Sequence, residues 1–322
     1  SSATRPMFPL QPQILTHDFD ILDNFETVQY NVLMEKKLLE ILQKHQGHFI
    51  SGQQISEELH VSRMTISTQI KKLKEKGYHI QTSTKKGYCL TLENDVIFIE
   101  QIKDTIPSFY QDIHYFDEID STNQYMKTHD FKQGDIIIAN QQTSGKGRNG
   151  RSFHSPCQKG IYLSLMLKPD LTIYDSLKIT ACCGVAVVKA IQKNYPLFPQ
   201  IKWVNDIILN DLKVCGILCE ASLEMNTARL ERMIVGVGIN VHHYDMPEDL
   251  QGIAGCLEDQ CDLFVPRQKI IIDFLNFFYD DYSKLSSLSF LETYRQHSYV
   301  LHQDIMVYEN NQQYPAYVSA IN

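Results

Sequence analysis

Between Ser144 and Arg151 the chain reads Ser144-Gly145-Lys146-Gly147-Arg148-Asn149-Gly150-Arg151, three glycines interleaved with three cations, just after the apolar run Ile136-Ile137-Ile138-Ala139. Glycine lets a backbone fold tightly over a ligand and present its N–H groups, and the interleaved cations then meet a phosphate or a carboxylate. The pattern predicts a lid over an anion, carried where the chain leaves a buried strand. Taken alone, the same letters also describe an ordinary solvated turn.

The 322 residues suit two or three domains rather than one core. With 43% apolar and 21% charged residues the composition is that of an ordinary globular protein. Apolar runs such as Gly184-Val185-Ala186-Val187-Val188 are far too short to span a bilayer. The N-terminus lacks the basic-then-apolar layout of a signal peptide, so a cytoplasmic protein with no membrane partner is expected. Eight cysteines are read as reduced, mostly buried thiols, because Cys182 and Cys183 are adjacent and a chain of this size builds an adequate core without disulfides. Neither Cys215 and Cys219 nor Cys256 and Cys261 have CxxC spacing, and His242-His243 lacks a matching pair, so no structural metal is expected.

The net charge of −8 argues against nonspecific nucleic-acid binding by the whole chain. Residues 62–87 are the exception, with seven lysines and arginines against Glu75 alone. Around them the pattern is that of a DNA-binding module. Residues 1–33 form a leader with no clean period and no assigned function. Leu38, Leu39, Ile41 and Leu42 make one helical stripe ending near Gly47, and Gln53 to Leu59 make a short helix. After the tight connection His60-Val61, Ser62 caps a helix running to about Lys76, with Gly77 as its stop and Ile66, Ile70 and Leu73 facing inward. Strands Tyr78–Gln81 and Tyr88–Thr91 form a hairpin with Lys85 and Lys86 at its tip. Residues 34–95 are thus expected to form a winged helix-turn-helix. In such a module Ser62, Arg63, Thr65, Ser67 and Thr68 meet base edges or phosphates, and Lys85 and Lys86 reach the flanking backbone. The same fold is also reused for protein docking.

Beyond this module strands and helices alternate. Asp135–Asn140, Gly160–Lys168, Ile201–Leu209, Val214–Glu220 and Met233–Val241 read as strands, and Leu177–Lys193 as a buried helix. A mixed sheet with helices on one side is the expected α+β outcome. Arg267–Leu285 is a long amphipathic helix that closes this domain.

Four further segments accompany the glycine loop: Asp120-Ser121-Thr122-Asn123, Ile201-Lys202-Trp203-Val204-Asn205-Asp206, Lys213-Val214-Cys215-Gly216-Ile217-Leu218-Cys219-Glu220 and Gly236-Val237-Gly238-Ile239-Asn240-Val241. In this order and spacing the set resembles a biotin–protein ligase, over residues from about 111 to 241. The resemblance implies a class II synthetase-like catalytic domain over residues 96–298. It also implies an SH3-like β barrel at residues 299–322, of which Asp304–Tyr308 and Tyr317–Ile321 look like the first strands. With only those strands an unpaired edge is expected. A helix-turn-helix ahead of such a domain resembles the bifunctional members of the family, which also repress transcription.

The family reaction joins biotin to ATP, giving biotinyl-5′-adenylate and pyrophosphate, and passes biotin to a lysine of an acceptor, the biotin carboxyl carrier domain. Setting a carboxylate against the α-phosphate brings two anions together, so the main demand is fixed positive charge. Lys202 and Arg148 are the residues expected to carry it. The resemblance implies that Ser121, Thr122, Asn123, Gln142, Gly145, Lys146, Gly147, Arg148, Lys202 and Gly216 bind biotin. It places Arg148, Arg151, Asn205, Lys213 and Asn240 near the nucleotide. Asn205 and Asp206 are second-shell groups or help hold the Mg²⁺ that accompanies ATP. Two positions depart from the common pattern, Lys146 where arginine is usual and Val204 where proline is usual. The implied partners are operator DNA, the carrier domain and a second copy of the chain, with the adenylate as corepressor. The alternatives are a ligand-sensing transcription factor without transfer activity and a lipoate-type ligase.

Overall fold

The computed structural model describes residues 33–75, 78–91, 95–223, 229–309 and 312–321. The leader up to residue 32 and the expected helix stop at Lys76-Gly77 lie outside them. Two compact units divide between residues 94 and 95.

In the first unit, α1 (33–44) buries Met34, Leu38, Leu39, Ile41 and Leu42. Helix α2 (Gly52–Leu59) starts from Ser51, whose hydroxyl accepts from the Gln54 N–H while the Gln54 side chain accepts from the Ser51 N–H. His60 ends it in the left-handed region at φ 54°. Helix α3 (Arg63–Glu75) is capped by Ser62, whose Oγ accepts from the Thr65 N–H at 3.1 Å, and buries Ile66, Gln69, Ile70 and Leu73. Strands β1 (Ile80–Ser83) and β2 (Gly87–Leu90) pair antiparallel. Gly87 sits at φ 97°, and a β carbon there would run into the Ile50 carbonyl. These elements make a winged helix-turn-helix.

The second unit is built on a seven-stranded mixed sheet. In chain order come α4 (Ile99–Thr105), β3 (Ile113–Phe116), α5 (Thr122–Thr128), β4 (Ile136–Ala139), β5 (Gly160–Leu167), α6 (Ser176–Asn194), β6 (Gln200–Lys202), β7 (Asp206–Leu209), β8 (Leu212–Leu223), β9 (Leu230–Asn240), α7 (Arg267–Tyr282), α8 (Leu291–Gln296), β10 (Asp304–Glu309) and β11 (Gln312–Tyr317). The sheet order is β3-β4-β5-β9-β8-β7-β6, with β3 and β4 parallel and every other pair antiparallel.

Alternation along the strands sorts the core into two layers. Ile136, Ile138, Leu163, Leu165, Val235 and Val237 pack with α6 and α7, whereas Ile137, Met166 and Ile234 pack with Met126 of α5 on the other face. Helices therefore lie on both faces, not one, because Ile137 needs a cover of its own. Segment 201–209, expected as one strand, is a hairpin: β6 and β7 pair with Lys202 opposite Asp206, and residues 203–205 make the turn. The next hairpin turns through Asn210 and Asp211, at φ 49° and 63°. The second strand of the terminal hairpin runs over Gln312–Tyr317, ahead of the expected Tyr317–Ile321. All eight cysteines are free, and only Cys157 is exposed.

One polar cluster ties the start of this unit to its core. Arg267, 1% exposed, bonds to Asp95 through Nε and its N–H, to the Gly160 carbonyl at 2.9 Å and to Asn140 Oδ1 at 3.0 Å. Burial alone raises the Asp95 carboxyl, but the Arg267 charge and the His242 contact outweigh it and hold it below its ordinary value. A carboxylate depressed in the folded state stabilises above its unfolded value, and that contribution is lost as pH falls through the folded one. Acid unfolding is therefore expected to draw on Asp95 below about pH 4, and Asp95→Asn should flatten that limb of a stability–pH profile. Arg267→Leu leaves the carboxylate buried with only His242 beside it; urea unfolding followed by circular dichroism should show a loss of about 3–5 kcal/mol.

Candidate functional sites

The pocket begins with register. On the α5 face of the sheet, Ile137, Ser164, Gly236 and Leu218 form one cross-strand row, and Ala139, Tyr162, Gly238, Gly216, Asp206 and Lys202 form the next. Three of these places are glycines, so the face is hollow where the rows meet. An open cleft of about 450 Å³, counting the solvent space at its mouth, lies there, floored by Gly216, Gly236, Gly238 and Leu218. The vacated room is used by neighbours: a β carbon on Gly236 would collide with the Asn123 amide, and one on Gly238 would stand 2.5 Å from the Phe153 ring.

Ser121, Thr122 and Asn123 reach the cleft because they start α5. Ser121 is the cap of that helix, its hydroxyl accepting from the Gln124 N–H at 3.4 Å. Gln142 Oε1 accepts from the Thr122 N–H at 2.9 Å and lies 3.1 Å from the Thr122 hydroxyl, while its Nε2 donates to Ser155 Oγ at 2.8 Å. The Asn123 amide is spent inside the protein: Nδ2 donates to the Leu218 carbonyl and to Glu220, and Oδ1 accepts from Ser164 at 2.6 Å. One wall of the cleft is thus a fixed array of hydroxyl and amide groups, suited to a ligand with adjacent donors and acceptors.

The opposite wall carries charge. Lys213 Nζ lies 2.8 Å from Asp206 Oδ1, and the place where Gly216 lacks a β carbon is 3.2 Å from that same ammonium. Arg148 donates to Asn205 Oδ1 at 2.7 Å, and Asn205 in turn donates to Asp206 at 2.9 Å. The glycine loop is itself a narrow hairpin, held by Gly147 N–H to Arg151 O, by Phe153 N–H to Gly145 O and by a bridge between Lys146 and Ser152. Its tip turns through Asn149 and Gly150, at φ 55° and 74°. Gly145 is needed there: a β carbon would meet the Phe153 carbonyl and Ser155 Oγ.

Of the residues expected at the site, Ser121, Thr122, Asn123, Gln142, Lys146, Gly147, Arg148, Asn205, Lys213 and Gly216 line this one cleft. Four do not. Lys202 is exposed on the edge hairpin, its ammonium 5.9 Å from the centre of the Tyr299 ring. Arg151 is exposed at the far side of the loop. Asn240 is buried and donates to the Gly255 carbonyl at 3.2 Å. Gly145 supports Gln142 from behind. The lining also includes Phe153, Leu163, Ile217, Leu218 and Val237, which sequence reasoning did not single out. Among the described residues no group of three or more His, Cys, Asp or Glu is arranged to hold a metal ion.

In the first unit Ser62, Arg63, Ser67 and Thr68 are exposed along α3, Thr65 is half-buried beside them, and Lys85 and Lys86 stand exposed at the hairpin tip. Lys74 Nζ donates to Thr82 Oγ1 at 2.8 Å and so ties α3 to that hairpin. Among the described residues no helix is long and apolar enough to cross a membrane.

Comparisons with known proteins match segments of both units. A model of the biotin/lipoate A/B protein ligase family matches residues 115–240, and a model of a helix-turn-helix domain matches residues 35–89. The bifunctional ligase/repressor BirA of Bacillus subtilis is 32% identical over 245 residues, which covers 74% of this chain and 75% of that protein. The protein of the same name from Escherichia coli is 32% identical over 197 residues, covering 61% of this chain and 60% of its own. A solved biotin protein ligase from Aquifex aeolicus, in complex with biotin and ATP, matches with a TM-score of 0.57 at 24% identity. That match covers 65% of this chain and 87% of the other, and it shows a shared fold. The chain belongs to the biotin–protein ligase family, alongside the bifunctional ligase/repressors.

Proposed function

We propose that this protein activates biotin with ATP, transfers it to a lysine of a carboxylase carrier domain, and represses transcription through its helix-turn-helix when the adenylate is bound. The observation that carries the reading is one cleft with a hydroxyl-and-amide wall on one side and two braced cations on the other, over a floor that three glycines keep low.

In the first step a carboxylate oxygen of biotin attacks the α-phosphorus of ATP, a new O–P bond forms, and pyrophosphate leaves with the electron pair of the broken bond. Lys213 joins the residues that answer the charge problem. Lys202 stands on the cleft face of the sheet, in the row that runs from Gly238 through Gly216 and Asp206, and keeps its expected catalytic role, joined by the two cations that line the cleft, Lys213 and Arg148. Both cations are held before substrate arrives, Lys213 by Asp206 and Arg148 by Asn205, which removes the cost of ordering them during the reaction. Thr122 and Gln142, with Ser121 beside them, offer donors and acceptors to the ureido ring. The glycine hairpin folds over the adenylate and keeps water from the mixed anhydride. In the second step the acceptor lysine attacks the acyl carbon and AMP leaves.

Asn205 and Asp206 would be the oxygen donors this side of the cleft offers to a Mg²⁺ carried by ATP, which would neutralise part of the phosphate charge. DNA binding is assigned to residues 34–95, ligation to 96–298 and a barrel-like appendage to 299–322. Ordering of the glycine hairpin on the adenylate favours a homodimer, which binds a two-half-site operator better than a monomer does. Nucleotide, carrier and DNA as partners support a cytoplasmic location.

Mass spectrometry of the nucleotide products after incubation with biotin, ATP and Mg²⁺ tests the reading. Wild type should form biotinyl-adenylate, and Lys202→Ala and Lys213→Ala should each lose it by about a hundredfold or more. Absence of the adenylate from the wild type defeats the ligase reading. Gly236→Ala should push Asn123 and the start of α5 out of place, and raise the Kd for biotin, read by calorimetry, by about tenfold or more.

A further inference from the structure

Helix α3 presents one outward stripe at positions 64, 67, 68 and 71, the spacing of a single helical face. Much of the polar chemistry near its start is already spent. The Thr65 and Ser62 hydroxyls bond to each other at 2.8 Å, and the Thr68 hydroxyl donates to the Met64 carbonyl at 3.1 Å. Met64 stands among them 79% exposed, the most exposed large apolar side chain of the described residues. A lone exposed apolar residue is common on protein surfaces. This one lies on the first turn of the helix that faces DNA in the fold, beside Arg63 and in a segment rich in lysine, where the matching partner is a polyanion.

Resting on the DNA-binding reading above, we propose that Met64 is a specificity-determining residue that reads the C5-methyl group of a thymine in the major groove. Phosphate contacts by lysines carry no sequence information, and the thymine methyl is the one apolar feature on a base edge. A thioether side chain is flexible and polarizable enough to pack on it. Lys71, Lys72, Lys85 and Lys86 set affinity and register, and Met64 adds preference for T·A at the base pair beneath the first turn.

The experiment uses the full chain with biotin and ATP, and the duplex it retains best from a pool of random sequences. Each thymine of that duplex is replaced in turn by uracil, which removes only the methyl group. Wild type should lose about fourfold in affinity at one thymine per half-site, the factor that one buried methyl corresponds to. Met64→Leu should keep that sensitivity. Met64→Ala should bind the thymine duplex about fourfold more weakly and lose nothing further on uracil replacement. Adenylate formation by both variants should equal that of the wild type. Salt-sensitive binding by wild type with no methyl dependence, or equal dependence in Met64→Ala, overturns the assignment and leaves DNA binding standing. Failure to retain any duplex overturns both.

Discussion

Gly216, Gly236 and Gly238 strip side chains from the α5 face of β8 and β9, and the ligand cleft exists only in the space they clear. The same strands send Cys215, Ile217, Val235, Val237 and Ile239 to the opposite face, where they join the large core with α6 and α7. Two-residue alternation thus lets one pair of strands be a packed core on one side and a ligand floor on the other. The neighbours that enter the cleared space depend on it directly. Asn123 sits against Gly236, Phe153 against Gly238 and Lys213 over Gly216, so a β carbon at any of the three disturbs a different wall of the cleft.

Charge is arranged by the same economy of contacts. Arg148, Asn205, Asp206 and Lys213 form a continuous chain of bonds from the glycine hairpin to β8. Asn205 is anchored in turn by its own exchange with Ile217 across the hairpins. Held cations meet developing negative charge without reorganising, and this is where an enzyme joining two anions gains most. The Asp206 carboxylate holds Lys213 in place without substrate. On the proposed reading, an incoming phosphate or carboxylate competes for the ammonium that Asp206 has oriented.

Much of this was legible in the letters, for reasons that differ from element to element. Ser62, the α3 core positions and the basic hairpin are local signals, and the winged helix follows from them. The glycine loop and Ser121-Thr122 were found as motifs, and the cleft unites them. Residues 201–209 scan as one apolar strand, whereas the chain turns at 203–205 and sets Lys202 opposite Asp206, in the same row as Gly216 and Gly238. Lys213, two residues past the Asn210-Asp211 turn, is delivered inward by the second hairpin. Asn240 continues the β9 pattern yet spends its amide on Gly255, a long-range contact that no spacing announces. Phe153 is invisible for the same reason: its place in the cleft follows from how the glycine hairpin closes on itself.

The most direct test is a crystal structure of the chain with biotin and a non-hydrolysable ATP analogue. The account predicts the bicyclic ring over Gly236 and Gly238 against Thr122 and Gln142, with the carboxylate facing the cations Lys202, Lys213 and Arg148. Biotin bound elsewhere, or its carboxylate out of hydrogen-bonding reach of all three, contradicts it.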